Sequence, residues 1–257
     1  MTLDSAFLLR AKKRLLQMHF ESGVGHIGGN LSCLDAMMVV SHEFLGIEDR
    51  FILSKGHAAG ALYITLWSRG LLTEVDLLQF HRDDTLLAGH PPAKGLSDVV
   101  FAAGSLGHGL SLAAGTALAR KLKSENGRVF CLTSDGEWQE GSTWEALIFA
   151  THHQLTNLTV LIDHNGLQGF GSTKDVASMA PLAQKLSGFE LEVRTVDGHD
   201  LNAIRQALRE PAKGLCVVIL ETTKGKGVSF MENRMEWHYL PLKEAQYRAA
   251  LLEMDRQ

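Results

Sequence analysis

The stretch Arg128-Val129-Phe130-Cys131-Leu132-Thr133-Ser134-Asp135-Gly136-Glu137 decides the fold class. Its first part, Arg128–Thr133, is a run of apolar and β-branched residues without polar alternation, which reads as a strand buried on both faces. The run ends in a polar, glycine-containing turn. Glu140-Gly141 then opens a helical pattern, Gly141–His152, with apolar residues spaced three and four apart. The same signature recurs along the chain. Phe51–Leu53, Leu158–Asp163, Leu191–Val196 and Cys216–Glu221 read as further short strands, and Ser105–Lys123 and Asn202–Glu210 as further helices. Strands alternating with helices predict an α/β fold of three layers, α/β/α, around a mostly parallel central sheet. The first part of the chain reads as mainly helical, with Leu8, Leu9, Leu15 and Leu16 marking an amphipathic opening helix, and Pro241–Met254 reads as a closing helix.

The chain has 257 residues, enough to bury a sizeable core, and 45% hydrophobic with 21% charged residues is ordinary for a soluble α/β protein. With five prolines, no repeat and no low-complexity linker, residues 1–257 are expected to form one domain. A net charge of −4 without any Lys/Arg run argues against nucleic acid as a partner. No segment approaches the roughly 18 apolar residues of a membrane span. Residues Met1–Phe20 alternate charges with leucines, unlike the apolar core of a signal peptide. The expectation is a soluble, cytoplasmic protein that binds neither membrane nor nucleic acid. Cys33, Cys131 and Cys216 lie far apart in apolar runs, without zinc-type spacing, and are expected to be free buried thiols.

In an open parallel sheet, ligands bind beyond the carboxyl ends of the strands. Two such ends carry chemistry here. Arg128–Thr133 runs into Ser134-Asp135-Gly136-Glu137, and Leu158–Asp163 runs into His164-Asn165-Gly166-Leu167-Gln168-Gly169. An Asp-Gly or Asn-Gly taken alone is usually a simple turn. Together, Asp135 and Asn165 can offer oxygen ligands from two loops to one divalent cation. Mg²⁺ takes few protein ligands and completes its octahedron with water and phosphate oxygens. A diphosphate at a glycine-flanked helix start suits such a site.

The interval of 30 residues from Asp135 to Asn165 resembles the thiamine diphosphate motif, whose usual form is Gly-Asp-Gly followed at a similar distance by Asn. Other segments narrow the resemblance to transketolases. Ser22-Gly23-Val24-Gly25-His26-Ile27-Gly28-Gly29 is similar to that family's first histidine motif, Leu53-Ser54-Lys55-Gly56-His57 to its second and Gly89-His90-Pro91 to its third. Gly104-Ser105-Leu106-Gly107-His108-Gly109 resembles its glycine-rich loop. Glu221-Thr222-Thr223-Lys224-Gly225-Lys226-Gly227, followed by Glu236-Trp237-His238, resembles the end of its first domain. The motifs stand in the family's order over nearly the whole chain. Three positions depart from the pattern: Ser134 replaces the first Gly of the metal motif, His108 stands where Gln is common, and Tyr239 follows His238 in place of Gly. These departures bear on the substrate more than on the cofactor.

The resemblance implies the diphosphate-binding domain of the thiamine diphosphate-binding fold. It also implies a transferase that moves a two-carbon ketol unit from a ketose or ketose phosphate to an aldose. Thiamine diphosphate is the implied cofactor, with Mg²⁺ as its metal and Ca²⁺ as a possible substitute. Asp135, Asn165 and the carbonyl oxygen of Leu167 are then the metal ligands. His57, Gly104, Ser105, Leu106, Asp135, Gly136, Glu137 and Asn165 contact the cofactor. His26, His57, His90 and His238 are the catalytic histidines, His26 and His90 binding and protonating the two-carbon unit, a role for which a pKa near neutrality suits imidazole. Glu140 joins this set, and it lies with Glu145 around a helix start. Both also fit simple compensation of a helix dipole, and in the family the matching carboxylates lie near the subunit interface and couple two active sites. The pyrimidine-binding and C-terminal domains are expected on a separate chain, a transketolase C-terminal subunit supplying a glutamate to the aminopyrimidine ring. That pairing implies a heterotetramer with two copies of each chain. Another thiamine diphosphate-dependent carboligase, a 2-oxo acid decarboxylase component and a non-catalytic remnant are the competing readings.

Overall fold

The computed structural model describes residues 3–92 and 94–256. Helix α1, Ser5–Ser22, starts where Asp4 accepts a hydrogen bond from the Phe7 N–H at 2.7 Å, and it stops at Gly23, whose φ of 64° is a left-handed conformation suited to glycine. Helix α2, Ile27–Val39, is buried at all 13 positions and passes into a π-helical turn, Val40–Phe44. Strand β1 (Arg50–Leu53), helix α3 (Ala59–Ser68) and the short α4 (Glu74–Leu77), closed by a capping box of Thr73 and Asp76, complete the first third. A long loop leads to α5 (Gly109–Leu122), then β2 (Val129–Ser134), α6 (Gly141–His152) and β3 (Leu158–His164). A small hairpin of β4 (Leu167–Gln168) and β5 (Gly171–Ser172) precedes α7 (Thr173–Ala177) and α8 (Leu182–Leu186). The chain closes with β6 (Leu191–Asp197), α9 (Leu201–Arg209), β7 (Leu215–Glu221) and α10 (Glu244–Met254).

Among the described residues, β1, β2, β3, β7 and β6 pair in that order as one wholly parallel sheet. Side chains alternate between its faces, as the pleat requires. Val129, Cys131, Val160, Ile162, Val217 and Ile219 point to the face covered by α5, α6 and α8. Phe130, Leu132, Leu161, Val218 and Leu220 point to the face covered by α1, α2, α3 and α9. The three-layer α/β/α arrangement is the one the strand pattern predicts, and the strand bounds differ from that reading by a residue or so. The three cysteines are free and buried. Burial pushes the Cys33 thiol up to about 12, so it is an inert packing group.

Two helix starts move appreciably, and the closing helix begins at Glu244 in place of Pro241. The pattern predicts a helix from Ser105, but α5 starts at Gly109. Gly107 takes a φ of 84° and its N–H is drawn to the buried Glu137 carboxylate at 2.8 Å, which bends the chain out of helical geometry. No helix among the described residues is long and apolar enough to cross a membrane.

The carboxyl edge of the sheet is fixed by a buried ion pair. Lys55, just beyond β1, meets Asp163 near the end of β3, both at 0% exposure. Asp163 also accepts from Ser32 Oγ at 2.6 Å on α2, from Asn165 Nδ2 at 3.1 Å and from Thr222 Oγ1 after β7. Lys55 Nζ donates to the Gly29 carbonyl at 3.0 Å. Burial alone would lower the Lys55 pKa, and the Asp163 carboxylate more than offsets it, so the ammonium is held above its ordinary value. Asp163 is held below its ordinary value because the Lys55 charge and its hydrogen bonds outweigh burial. Removing one member of such a pair leaves an unpaired charge in the interior, at a cost of about 3–5 kcal/mol. Lys55→Met is therefore expected to lower the unfolding free energy by an amount of that order in urea titration. A loss below about 1 kcal/mol, the size of a surface pair, would refute a keystone role.

Candidate active site

The loops beyond the carboxyl ends of β1, β2, β3 and β7 converge on one cavity of about 330 Å³, lined by His57, Leu106, Gly136, Asn165, Leu167 and Lys224 among others. That volume is in the range of small-molecule sites, roughly 300–1,000 Å³. Close backbone approach shapes it. A Cβ on Gly136 would lie 2.8 Å from the Gln168 Cβ, and a Cβ on Gly25, just before His26, would lie 2.3 Å from the Tyr239 carbonyl oxygen.

On one side of the cavity lies an oxygen-rich turn pair. Asp135 is 3% exposed and accepts from the Gly136 N–H at 2.8 Å and the Gly166 N–H at 2.6 Å. It makes no ion pair among the described residues. Burial, with the neighbouring Asp163 charge, raises its pKa to about 6. Asn165 turns its Nδ2 toward Asp163 and its Oδ1 toward the Leu167 N–H at 3.0 Å, an Asx turn that sets the Leu167 backbone beside the cavity. No group of three or more His, Cys, Asp or Glu side chains among the described residues is arranged to hold a metal ion by itself. An isolated buried carboxylate with an amide and a carbonyl nearby is the sparse oxygen set that a hard divalent cation accepts.

On another side stand the histidines. The His26 ring lies 5.7 Å from His57, 6.2 Å from His90 and 5.0 Å from His238, so four residues far apart in sequence form one cluster. His26 precedes α2 at a φ of 64°, its N–H donates to the His238 carbonyl at 3.1 Å, and Asn30 Nδ2 holds the His26 carbonyl at 2.8 Å and the His57 carbonyl at 3.1 Å. His26 Nδ1 is buried without a hydrogen-bond partner. Lys224, 1% exposed, lies with Nζ 2.7 Å from His238 Nδ1.

Proximity lowers the basicity of the whole group. Burial, with the charges of His90 and Lys224, lowers the His26 pKa to about 4. Burial, with Lys224 and His26, lowers that of His238 to about 3, and burial, with Lys55, takes His57 well below its ordinary value. The expectation of imidazoles poised near neutrality is therefore corrected: these rings are neutral at pH 7, because they are buried beside cations and one another. The group moved toward neutrality is Lys224, which burial and the Lys55 charge bring down to about 8.

The remaining predicted residues divide. Glu140 lines the cavity at its exposed rim as the residue before α6, with Glu145 exposed farther along that helix. Leu106 lines the same cavity, whereas Gly104 and Ser105 line a neighbouring one of about 270 Å³. Gly104 still backs the cluster, for a Cβ there would lie 3.5 Å from the His90 ring. Glu137 is fully buried, and its carboxylate accepts from Ser54 Oγ, the Gly107 N–H and the Ser134 N–H. It braces the glycine-rich loop from inside. Sequence reasoning missed Lys55, Asp163, Lys224 and Tyr239. The two lysines each directly precede a glycine in a quoted motif, a faint signal for a buried cation at a strand end. Tyr239 donates to the Gly169 carbonyl at 2.7 Å, and its ring lies 4.7 Å from that of His238, so it joins two residues that line the cavity.

Comparison with known proteins agrees with this geometry. The family model described as the transketolase thiamine diphosphate-binding domain matches residues 21–254. One of the apulose-4-phosphate transketolase subunits, from Phocaeicola vulgatus, is 33% identical over 255 residues, covering 95% of this chain and 90% of that protein. The 6-deoxy-6-sulfo-D-fructose transketolase subunit SqwG of a Clostridium species is 32% identical over 259 residues, covering 96% and 94%. Among solved structures, the transketolase of Campylobacter jejuni superposes with a TM-score of 0.89 at 27% identity, covering 98% of this chain and 43% of that one. Fold, motif order and similarity over almost the full length agree, and the chain belongs to the transketolase family as its thiamine diphosphate-binding domain.

Proposed function

We propose that this chain is the N-terminal subunit of a two-chain transketolase, transferring a two-carbon ketol unit from a ketose or ketose phosphate to an aldose together with a partner chain. The observation that carries this reading is that one cavity is lined by Asn165, Leu167, His57 and His238, with Asp135 bonded to the Asn165 turn and with His26 and His90 in ring contact behind the two lining histidines. The relatives named as transketolase subunits, which this chain matches over at least nine tenths of their length, support the two-chain arrangement. In this reading the partner contributes the pyrimidine-binding domain and its glutamate, and two copies of each chain assemble. Glu140 and Glu145, exposed on the α6 side, are available to another chain there.

Thiamine diphosphate, when bound, supplies the nucleophilic carbon and the electron sink that ketol transfer needs. Asp135, Asn165 and the Leu167 carbonyl would hold its Mg²⁺, and Gly104, Ser105, Leu106, Gly136 and His57 would contact it. The protein's own part is orientation and proton traffic. Lys224 donates to His238 Nδ1, so the His238 proton resides on Nε2, which becomes a hydrogen-bond donor toward a sugar oxygen. Neutral His26 and His90 can each accept a hydroxyl proton at one nitrogen while donating from the other. Lys224, at about 8, remains largely protonated at pH 7 and keeps a positive charge beside developing oxyanions.

Ketol transfer from a ketose phosphate is expected only when this chain is combined with the partner carrying the pyrimidine-binding domain. Asp135→Ala should reduce that transfer, and the affinity for thiamine diphosphate with Mg²⁺ in calorimetry, by more than the roughly 10- to 100-fold typical of an outer-shell change. Substantial transfer by the single chain, or full cofactor affinity in Asp135→Ala, would overturn the reading.

The histidine pKa values also set a pH dependence of stability. His19, buried against Phe80, is lowered to about 4 like His26, and His238 to about 3, against roughly 6.5 in the unfolded chain. Across that window the unfolded chain binds more protons, so the unfolding free energy falls as pH drops from about 6.5 to about 4. Asp135, raised to about 6, and Glu137, also raised by burial, work the other way over part of the window but are two groups against several. Urea unfolding at stepped pH should follow this slope, and a flat profile between pH 6.5 and 4 would contradict the neutral-histidine assignment.

A further inference from the structure

We propose that His199, outside the cavity, is a positioning residue that holds the Lys224 loop in register through a backbone hydrogen bond. It sits in Asp197-Gly198-His199-Asp200, between β6 and α9. His199 Nδ1 lies 2.9 Å from Asp35 Oδ2, and its Nε2 accepts from the Thr223 N–H at 2.9 Å. Asp35, 1% exposed in the middle of α2, is paired in turn with Lys12 of α1 at 2.8 Å. A backbone N–H can only donate, so Nε2 must be unprotonated and Nδ1 must carry the proton given to Asp35. Lys12, Asp35 and His199 therefore form a line of charge and hydrogen bonds from α1 through α2 to the backbone beyond β7.

What that line ends on gives it consequence. Thr223 stands between Thr222, whose Oγ1 donates to Asp163, and Lys224, whose Nζ meets His238. The loop is also tied at Thr222, whose N–H donates to the His164 carbonyl at 3.2 Å, and at Gly225, whose N–H donates to the Gly28 carbonyl at 2.9 Å. Between these two ties stand the N–H groups of Thr223 and Lys224, and His199 takes the first of them. The local sequence is built for this approach. A Cβ on Gly198 would lie 2.4 Å from Thr222 Cγ2, and Asp200 caps α9 by accepting from the Asn202 N–H at 2.8 Å. His199 thus touches no substrate and acts through Thr223 on where Lys224 presents its ammonium.

Two substitutions separate the hold on Thr223 from packing. His199→Asn keeps a polar group near the Nδ1 position, facing Asp35, but is too short to reach Thr223. His199→Gln carries an amide oxygen out to the Nε2 position, facing Thr223, and gives up Asp35. Each sacrifices one hydrogen bond, so their urea midpoints should be close to one another. The inference rests on the transketolase reading for its catalytic consequence alone, and hydrogen exchange on the full chain tests the hold separately. In His199→Asn the segment 222–227 should exchange about tenfold faster, the scale of one lost hydrogen bond, while His199→Gln stays near wild type. With the partner chain present, His199→Asn should lower kcat about 10- to 100-fold, as a misplaced group does, with KM for the ketose little changed, and His199→Gln should recover most of it. Equal exchange in the two variants, or faster exchange in His199→Asn with wild-type kcat, would overturn the proposal. An inactive wild-type pair with the expected exchange contrast would overturn the transketolase reading and leave the hold on Thr223 standing.

Discussion

The structure turns on one buried charge pair. Lys55 and Asp163 lie at the ends of non-adjacent strands, β1 and β3, with β2 between them. A pair of this kind does little for net stability compared with an apolar substitute, but it fixes geometry, since each partner punishes any displacement that strips it of its counter-charge. Asp163 gathers donors from α2, from the Asn165 turn and from the loop after β7. Three of the segments around the site are thereby referred to one carboxylate. Lys55 also sets the electrostatics, for its charge lowers the basicity of both His57 and Lys224.

Around this centre, buried polar groups on α2 serve as anchors. Asn30, Ser32 and Asp35 would each be costly on a helix with no exposed face. Each is matched to a different site segment: Asn30 to the backbones of His26 and His57, Ser32 to Asp163, and Asp35 to Lys12 and His199. The glycine-rich loop is held in the same manner by buried Glu137. Regular scaffold and irregular loop are thus joined by side chains that never enter the cavity.

This division explains what was legible in the sequence. Strand runs such as Val129–Ser134 and Leu215–Glu221 are buried on both faces, and burial on both faces writes an unbroken apolar run that periodicity detects. Asp135, Asn165, His26, His57 and His90 were legible because a neighbouring glycine marks each of them locally. Lys55, Lys224 and His199 were not, because their meaning lies in partners 108, 14 and 24 positions away, which no local window joins. The start of α5 was misread for a similar reason: the segment from Ser105 has helical spacing, and only the distant Glu137 carboxylate draws Gly107 away from it.

The same convergence reassigns the proton chemistry. A histidine read alone carries a pKa near neutrality, and one such residue would serve as a general acid or base by itself. Four of them packed ring to ring beside Lys224 cannot all be charged, since each added proton would face the others and a lysine in a desolvated space. The site resolves the conflict by leaving the imidazoles neutral and the positive charge on lysine. Groups whose environments drive their pKa values apart mark out separate tasks. Here the separation sets neutral rings, each able to accept at one nitrogen and donate from the other, beside one ammonium that keeps its charge.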